Sequence, residues 1–350
     1  MKVLITGSSG LIGGEAVLHF DRAGHEVTGL DNNMRMEFFG PAGDTRGNLE
    51  RLCRAARRFR HLDWDVRDRE RVMALFREAR FDVVVHCAAQ PSHDRARDIP
   101  LTDFEINAVA TVTLLEATRL HCPEAVFILL STNKVYGDAP NELPLVETAT
   151  RWDYARPGDF HGISEECRID RGLHSIFGAS KVAADVMAQE YGRYYGLRTG
   201  IFRGGCLTGP MHAGVQLHGF LSHLVKVVVA GERYTVFGYK GKQVRDQIHS
   251  ADVVALFDEF IAAPRRGEVY NLGGGRENSA SILECFAMVE ERTGKSVERE
   301  YDEQARVGDH ICYISDLRKI RRDFPGWRIT RRLDKIVDEM VEIELSGRRA

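Results

Sequence analysis

Short, β-branched apolar runs recur through the first 203 residues, separated by amphipathic stretches at helical spacing. The runs at 2–5, 26–30, 81–87, 125–130 and 197–203 predict buried strands. Residues 12–23, 101–121 and 175–195 predict helices. Residues 34–58 are less regular and end in a basic helix carrying Arg51, Arg54, Arg57 and Arg58, read as a solvated face. Strands that alternate with helices make a parallel sheet covered on both faces, so the expected class is α/β. Residues 138–172 are irregular and rich in Pro, Asp, Glu and Arg, and predict a long active-site loop. Beyond Gly204 the alternation breaks into shorter mixed pieces, which predict a smaller C-terminal lobe.

The first strand feeds directly into Thr6-Gly7-Ser8-Ser9-Gly10-Leu11-Ile12-Gly13, where helix formers take over. Glycines 7, 10 and 13 let the chain turn tightly, approach a phosphate closely and pack the next helix hard on the strand. Ser9, Leu11 and Ile12 lie where the helix N-terminus offers free N–H groups to a pyrophosphate. The second strand ends at Asp31, whose carboxylate suits an adenosine ribose and would repel a 2′-phosphate, so NAD is expected rather than NADP. Strand, glycines, helix, strand and acid in this order predict a Rossmann-type doubly wound sheet that binds a dinucleotide. Asp65 and Val66 fall where an adenine ring would be edged and sandwiched. Ala88, Ala89 and Gln90 follow the strand at 81–87, and their small start lets backbone pass close under the cofactor. Asn107 lies on the following helix. The expected division is 1–203 for the dinucleotide, with 247–263 returning to it, and 204–246 plus 264–350 for the substrate lobe.

Composition adds exclusions. A net charge of -3 with 28% charged residues points to neither nucleic acid nor an anionic membrane surface. No apolar run approaches the ~18 residues of a membrane helix. Strand one follows Met1 at once, and the seven scattered cysteines include no C-x-x-C, so reduced thiols in a cytoplasmic protein are expected. His212, His218 and His223 lack the spacing that puts two imidazoles on one helical face, so no metal is expected.

These residues resemble the extended short-chain dehydrogenases/reductases that act on nucleotide sugars, over nearly the whole chain. The marks are the glycine stretch, Asp65-Val66-Arg67-Asp68, Val135-Tyr136-Gly137, Lys181, Arg203 with Gly209-Pro210, Gln243-Val244-Arg245-Asp246 and Asn271-Leu272-Gly273-Gly274. Within that family, Ser131-Thr132-Asn133-Lys134-Val135-Tyr136-Gly137-Asp138, Thr150-Arg151-Trp152 and Gly241-Lys242-Gln243 resemble the CDP-paratose 2-epimerase group.

The resemblance implies a chemistry. A sugar C2–H beside no carbonyl is too weakly acidic to lose a proton directly. Hydride would instead pass from C2 to NAD as the hydroxyl proton leaves, and return to the other face of the 2-keto sugar. It implies that Thr132 partners the sugar oxygen, that Lys181 holds the nicotinamide ribose and lowers the pKa of a neighbouring base, and that Asn32, Ser131 and Arg203 join the cofactor set. Arg245 would meet the pyrophosphate, and Arg306 with Asp309 would clamp nucleotide phosphate and ribose. Asn133 and Lys134 stand where sugar 4,6-dehydratases carry an Asp-Glu pair, which argues against dehydration. Gly204, Gly205 and Cys206 would leave room for a CDP-hexose to turn. Pairing through the helices at 101–121 and 178–195 implies a homodimer or homotetramer.

One position departs from the family. The base would be a tyrosine four residues before Lys181, but that residue is Phe177, which exchanges no proton. Three readings are open. Another group takes the role (Tyr136, His93, His174 or a water held by Lys181), with His93 foremost because it follows the cofactor strand beside Asp94. Alternatively the chain is an inactivated engineered form. The third is a silent protein that binds NAD and a sugar nucleotide without turning them over.

Overall fold

The computed structural model describes residues 1–215, 218–305 and 308–347. Seven strands make the main sheet: β1 (Lys2–Thr6), β2 (Glu26–Leu30), β3 (Phe59–Leu62), β4 (Val83–His86), β5 (Val126–Thr132), β6 (Arg198–Gly204) and β7 (Glu268–Leu272). Their order is β7-β6-β5-β4-β1-β2-β3. β1 pairs in parallel with both β2 and β4, through Leu4↔Thr28 and Leu4↔Val84, and β5 runs parallel to β4. Strand order therefore reverses between β1 and β4, the place where doubly wound sheets open a crevice at their carboxyl ends.

Helices α1 (Leu11–Arg22), α2 (Arg69–Ala79), α3 (Ala110–His121) and α4 (Ser175–Tyr195) cover this sheet. Val3, Leu4, Ile5, Phe127, Ile128 and Leu129 are fully buried, because helices on both faces leave the central strands no solvated side. Leu4, Val84, Phe127 and Leu129 join Phe76 of α2, Leu114 and Leu115 of α3 and Ala184 and Ala188 of α4 in one cluster. The helix expected over 101–121 is continuous but not uniform. A short helix at Pro100–Phe104 passes through a π turn at Glu105–Val109 into α3. Such a bulge adds a residue to one turn, which apolar periodicity does not register.

The chain divides into two compact units: Met1–Val135, Ile176–Arg203 and Val253–Tyr270 in the first, and Tyr136–Ser175, Gly204–Asp252 and Asn271–Ala350 in the second. This corrects the expected division at two places. Residues 136–175 belong to the second unit, because Trp152 N donates to Lys242 O, Ile163 bridges Ser315, and Tyr136 Oη donates to Asn271 Oδ1 at 2.7 Å. Nor are they wholly irregular, since Leu145–Glu147 and Trp152–Tyr154 pair as a hairpin. The segment that returns to the first unit is Val253–Tyr270 rather than 247–263, because Gln247–His249 pair with Cys206–Thr208 in the second.

The second unit is built on the strand Val244–His249, flanked by Ser279–Ser281, Cys312–Tyr313 and Cys206–Thr208. Its apolar core contains Leu224, Val228, Phe286, Val289 and Met340.

A Cβ added at Gly192 of α4 would lie 2.1 Å from Gly267 N and 2.3 Å from Thr199 Oγ1. Gly192→Ala is expected to cost about 1–3 kcal/mol by overpacking. Urea unfolding checks this as a lower midpoint with an unchanged slope.

Candidate active site

The first unit supplies a dinucleotide cradle. Gly7 follows β1 at φ +67°, and a Cβ there would lie 2.8 Å from Ala88 N, on the turn that follows β4. A Cβ on Gly13 would lie 2.1 Å from Gly7 O. Three stretches of backbone thus meet with no space for a side chain. Gly10 caps α1 with no side-chain bond, so Leu11 and Ile12 open the helix with their N–H groups uncapped by side chains. This fits a pyrophosphate. Asp31 Oδ2 accepts from Ser9 N at 3.0 Å and Oδ1 from Asn33 N at 2.8 Å. Those bonds fix the carboxylate at the end of β2, while burial pushes its pKa up. Asn32 Nδ2 donates to Asp65 Oδ2 at 3.3 Å, and the Arg67 fork grips Asp65 from its other side. Val66 is buried beside it.

Beneath the cradle runs a buried polar thread whose directions can be assigned. Thr111 Oγ1 donates to Asn107 O at 2.7 Å, so it must accept from His86 Nε2, 2.9 Å away. His86 Nδ1 is then an acceptor, and Thr6 Oγ1 donates to it at 2.7 Å while accepting from Ala88 N at 3.2 Å. Only the neutral Nε2–H tautomer satisfies this chain. Burial first, and the Lys181 charge second, push His86 down to about 3.

The same thread ends in a knot. Asn107 Oδ1 accepts from Gln90 N at 3.0 Å, and its amide donates to Asp103 and to Ser180. Asp103 also accepts from Gln90 Nε2 at 2.7 Å and from Ser180 Oγ. The sequence singled out Gln90 and Asn107, which this network brings together, but not Asp103, Ser180, His86 or Thr6. An acid four residues before Asn107, and so on the same helical face, was the available signal.

At the end of β5, Thr132 Oγ1 accepts from Lys134 N at 3.2 Å and reaches Asn133 Oδ1 only at 3.5 Å. Its hydrogen is therefore available to a substrate oxygen. Lys181 of α4 is 3% exposed and donates to Leu130 O at 3.0 Å, two residues before Thr132. Burial lowers its pKa to about 8, against the pull of Asp185, Cys87 and Asp103. Ser131 and Arg203 are engaged with Asp185, which accepts from Ser131 Oγ at 2.6 Å and from the Arg203 fork at 2.9 and 3.1 Å. They clamp α4 to β5 and β6. His93 opens the helix His93–Asp98, whose cap is Ser92, and is partly exposed; Ala89 is likewise only partly buried. Phe177 is buried.

In the second unit, Arg245 Nη2 donates to Asp309 Oδ1 at 2.6 Å, which joins two residues expected to meet a nucleotide. Arg306 lies outside the described residues. On the opposite face of the strand, Asp246 Oδ2 accepts from Gly275 N and Ser315 N. A Cβ at Gly273 would lie 2.2 Å from that oxygen, so this part of the Asn271–Gly274 motif reflects packing around Asp246. The room expected beside Cys206 is bounded too: a Cβ at Gly205 would lie 3.0 Å from Asp246 Oδ1. Cys206 itself pairs with Gln247 at the strand edge and is partly exposed. Among the described residues no group of three or more His, Cys, Asp or Glu side chains is placed to hold a metal ion.

Strand order, glycine cradle and the acid that follows β2 together define a dinucleotide-binding enzyme of the doubly wound class. The sequence matches the NAD dependent epimerase/dehydratase family over residues 3–273. It is 32% identical over 327 residues to the CDP-paratose 2-epimerase of Salmonella typhi, covering 91% of this chain and 92% of that protein. It is 27% identical to dTDP-glucose 4,6-dehydratase 1 of Escherichia coli K12 over 99% of this chain and 93% of that one. Among solved structures, the UDP-glucose 4-epimerase of Thermus thermophilus in complex with NAD superposes with a TM-score of 0.78 at 26% identity, covering 99% of this chain and 100% of that one. The UDP-glucuronic acid 4-epimerase of Bacillus cereus, with a TM-score of 0.80, 24% identity and 99% and 100% coverage, shares the fold. The chain belongs to the NAD-dependent epimerase/dehydratase family, and NAD is its cofactor.

Between pH 6.5 and about 3 the unfolded chain binds a proton at position 86 that the folded chain refuses. Stability is therefore expected to fall as pH drops through that window, with the histidine's share fully present above it. His86→Gln should flatten this part of the profile, measured as urea midpoints at a series of pH values; an unchanged slope would show that His86 is not held neutral.

Proposed function

We propose that the chain epimerises a nucleotide-activated hexose, a CDP-hexose at C2, through transient oxidation and re-reduction. What carries the reading is the placing of Thr132 and Lys181 at the carboxyl end of β5, in the same unit as the cradle. The run from Ser131 to Asp138 and the similarity to a CDP-paratose 2-epimerase favour C2 and cytidine. Asn133 and Lys134 favour epimerisation over dehydration, since neither is an acid that could drive water loss.

NAD, when bound, supplies the acceptor and donor of hydride. The protein binds and orients. Asp31 would hold the adenosine ribose, Thr132 would donate to the sugar oxygen, and Lys181 would find ribose hydroxyls for its remaining hydrogens. In the other unit, the Arg245 fork would take the pyrophosphate, with Asp309 accepting from the nucleotide's ribose. None of the seven cysteines forms a disulfide, and no described helix is long and apolar enough to cross a membrane; we read the chain as cytoplasmic. Exposed Leu101, Phe104, Val109 and Leu120 before and along α3, with Val186 and Tyr194 on α4, favour a homo-oligomer paired through these helices.

Incubation of the purified chain with CDP-paratose in D₂O tests the reading. The expected product is the C2 epimer without solvent deuterium, seen by NMR; deuterium at C2 would contradict hydride shuttling. Arg245→Met should raise KM by about 10-fold or more with kcat little changed, as loss of binding shared by ground and transition states does.

A further inference from the structure

Phe177 and Lys181 lie one turn apart on α4, so their side chains share a helical face. Lys181 Nζ is buried and has Leu130 O as its protein hydrogen-bond acceptor among the described residues. An ammonium carries three hydrogens and an amine two, so protonation adds one more buried donor for which the described residues offer no second acceptor. Charges near the amine do not restore the balance. Asp185 is taken up by Arg203, Ser131 and Gln189, and Asp103 by Ser180, Gln90 and Asn107. The Cys87 thiol is pushed up to about 12 by burial, and His86 is held neutral. Burial prevails over these charges and lowers the lysine to about 8.

Resting on the epimerase reading above, we propose that Lys181 itself exchanges the proton of the reacting sugar hydroxyl, in place of the tyrosine that Phe177 excludes. The amine lone pair takes the hydroxyl proton: the O–H bond breaks and an N–H bond forms. The electrons left on oxygen become the second C–O bond, while the carbon gives up its hydrogen with its electron pair to the oxidised dinucleotide. On return the ammonium gives its proton back to the oxygen. Thr132 keeps its part as donor to that oxygen. Lys181 is better placed for this than His93. It stands one helical turn from the missing hydroxyl and two residues across from Thr132, whereas His93 opens a separate, partly exposed helix.

Two measurements on the whole chain test this. In protein labelled at lysine Cε with ¹³C, one lysine is expected to titrate near pH 8 and to be absent from Lys181→Arg. That titration needs no substrate. Arginine keeps the charge and the donors but cannot give up its proton. Lys181→Arg should therefore turn over CDP-paratose about 10²-fold or more slowly at saturating NAD. In the parent, kcat/KM should rise with the same pKa as the lysine signal. Where arginine is not accommodated, Lys181→Met serves for the NMR assignment and for turnover. A Lys181 titrating above 10, or Lys181→Arg as active as the parent, would overturn the proposal alone. A parent chain that epimerises no nucleotide sugar at any pH would overturn the epimerase reading, and this step with it.

Discussion

Backbone meets backbone where β1 gives way to α1, and the rest of the first unit depends on that contact. Because strand order reverses between β1 and β4, the turns that leave these neighbouring strands compete for the same volume. Gly7 resolves the competition by adopting a left-handed conformation against Ala88, and Gly13 by lying directly over Gly7 O. Any Cβ at either place would push α1 off the sheet. With the helix seated there, its first N–H groups and its positive end face the crevice, which makes an anion site from main chain alone. We propose that Asp31, tied to Ser9 and Asn33, then sets which anion is tolerated further along.

A second constraint lies below the first. The thread from Ala88 N through Thr6, His86 and Thr111 to Asn107 is buried and has one consistent direction of donation. Each such bond contributes only about 0.5–1.5 kcal/mol net, but a break strands a buried polar group at greater cost. The thread therefore acts as a ruler. It fixes the π turn against β4, and through Asn107, Asp103 and Ser180 it sets the rotation of α4, on which Lys181 is the next residue. The clamp of Asp185 on Ser131 and Arg203 holds the same helix from its other side.

How much of this was legible in the sequence follows from range. The strand, glycine and acid pattern of residues 2–31 is local chemistry, and the structure reproduces it as β1, α1 and β2 with Asp31 at the end. What escaped was set by partners far along the chain. Residues 138–172 read as a loop because their bonds lie with Lys242, Asn271 and Ser315. The glycine at 205 read as space, yet it is bounded by Asp246, which also sets the packing at Gly273 and whose inward orientation no periodicity reveals. Asp103 was passed over as one more polar residue on a helix, because burial of an acid is visible only once its three donors converge.

We propose a cradle that accepts one dinucleotide and refuses its 2′-phosphorylated counterpart. Calorimetric titration of the chain with NAD and with NADP addresses that most directly. NAD is predicted to bind tighter by about 100-fold or more, the cost of setting a phosphate against the Asp31 carboxylate. Equal affinity for the two would contradict it.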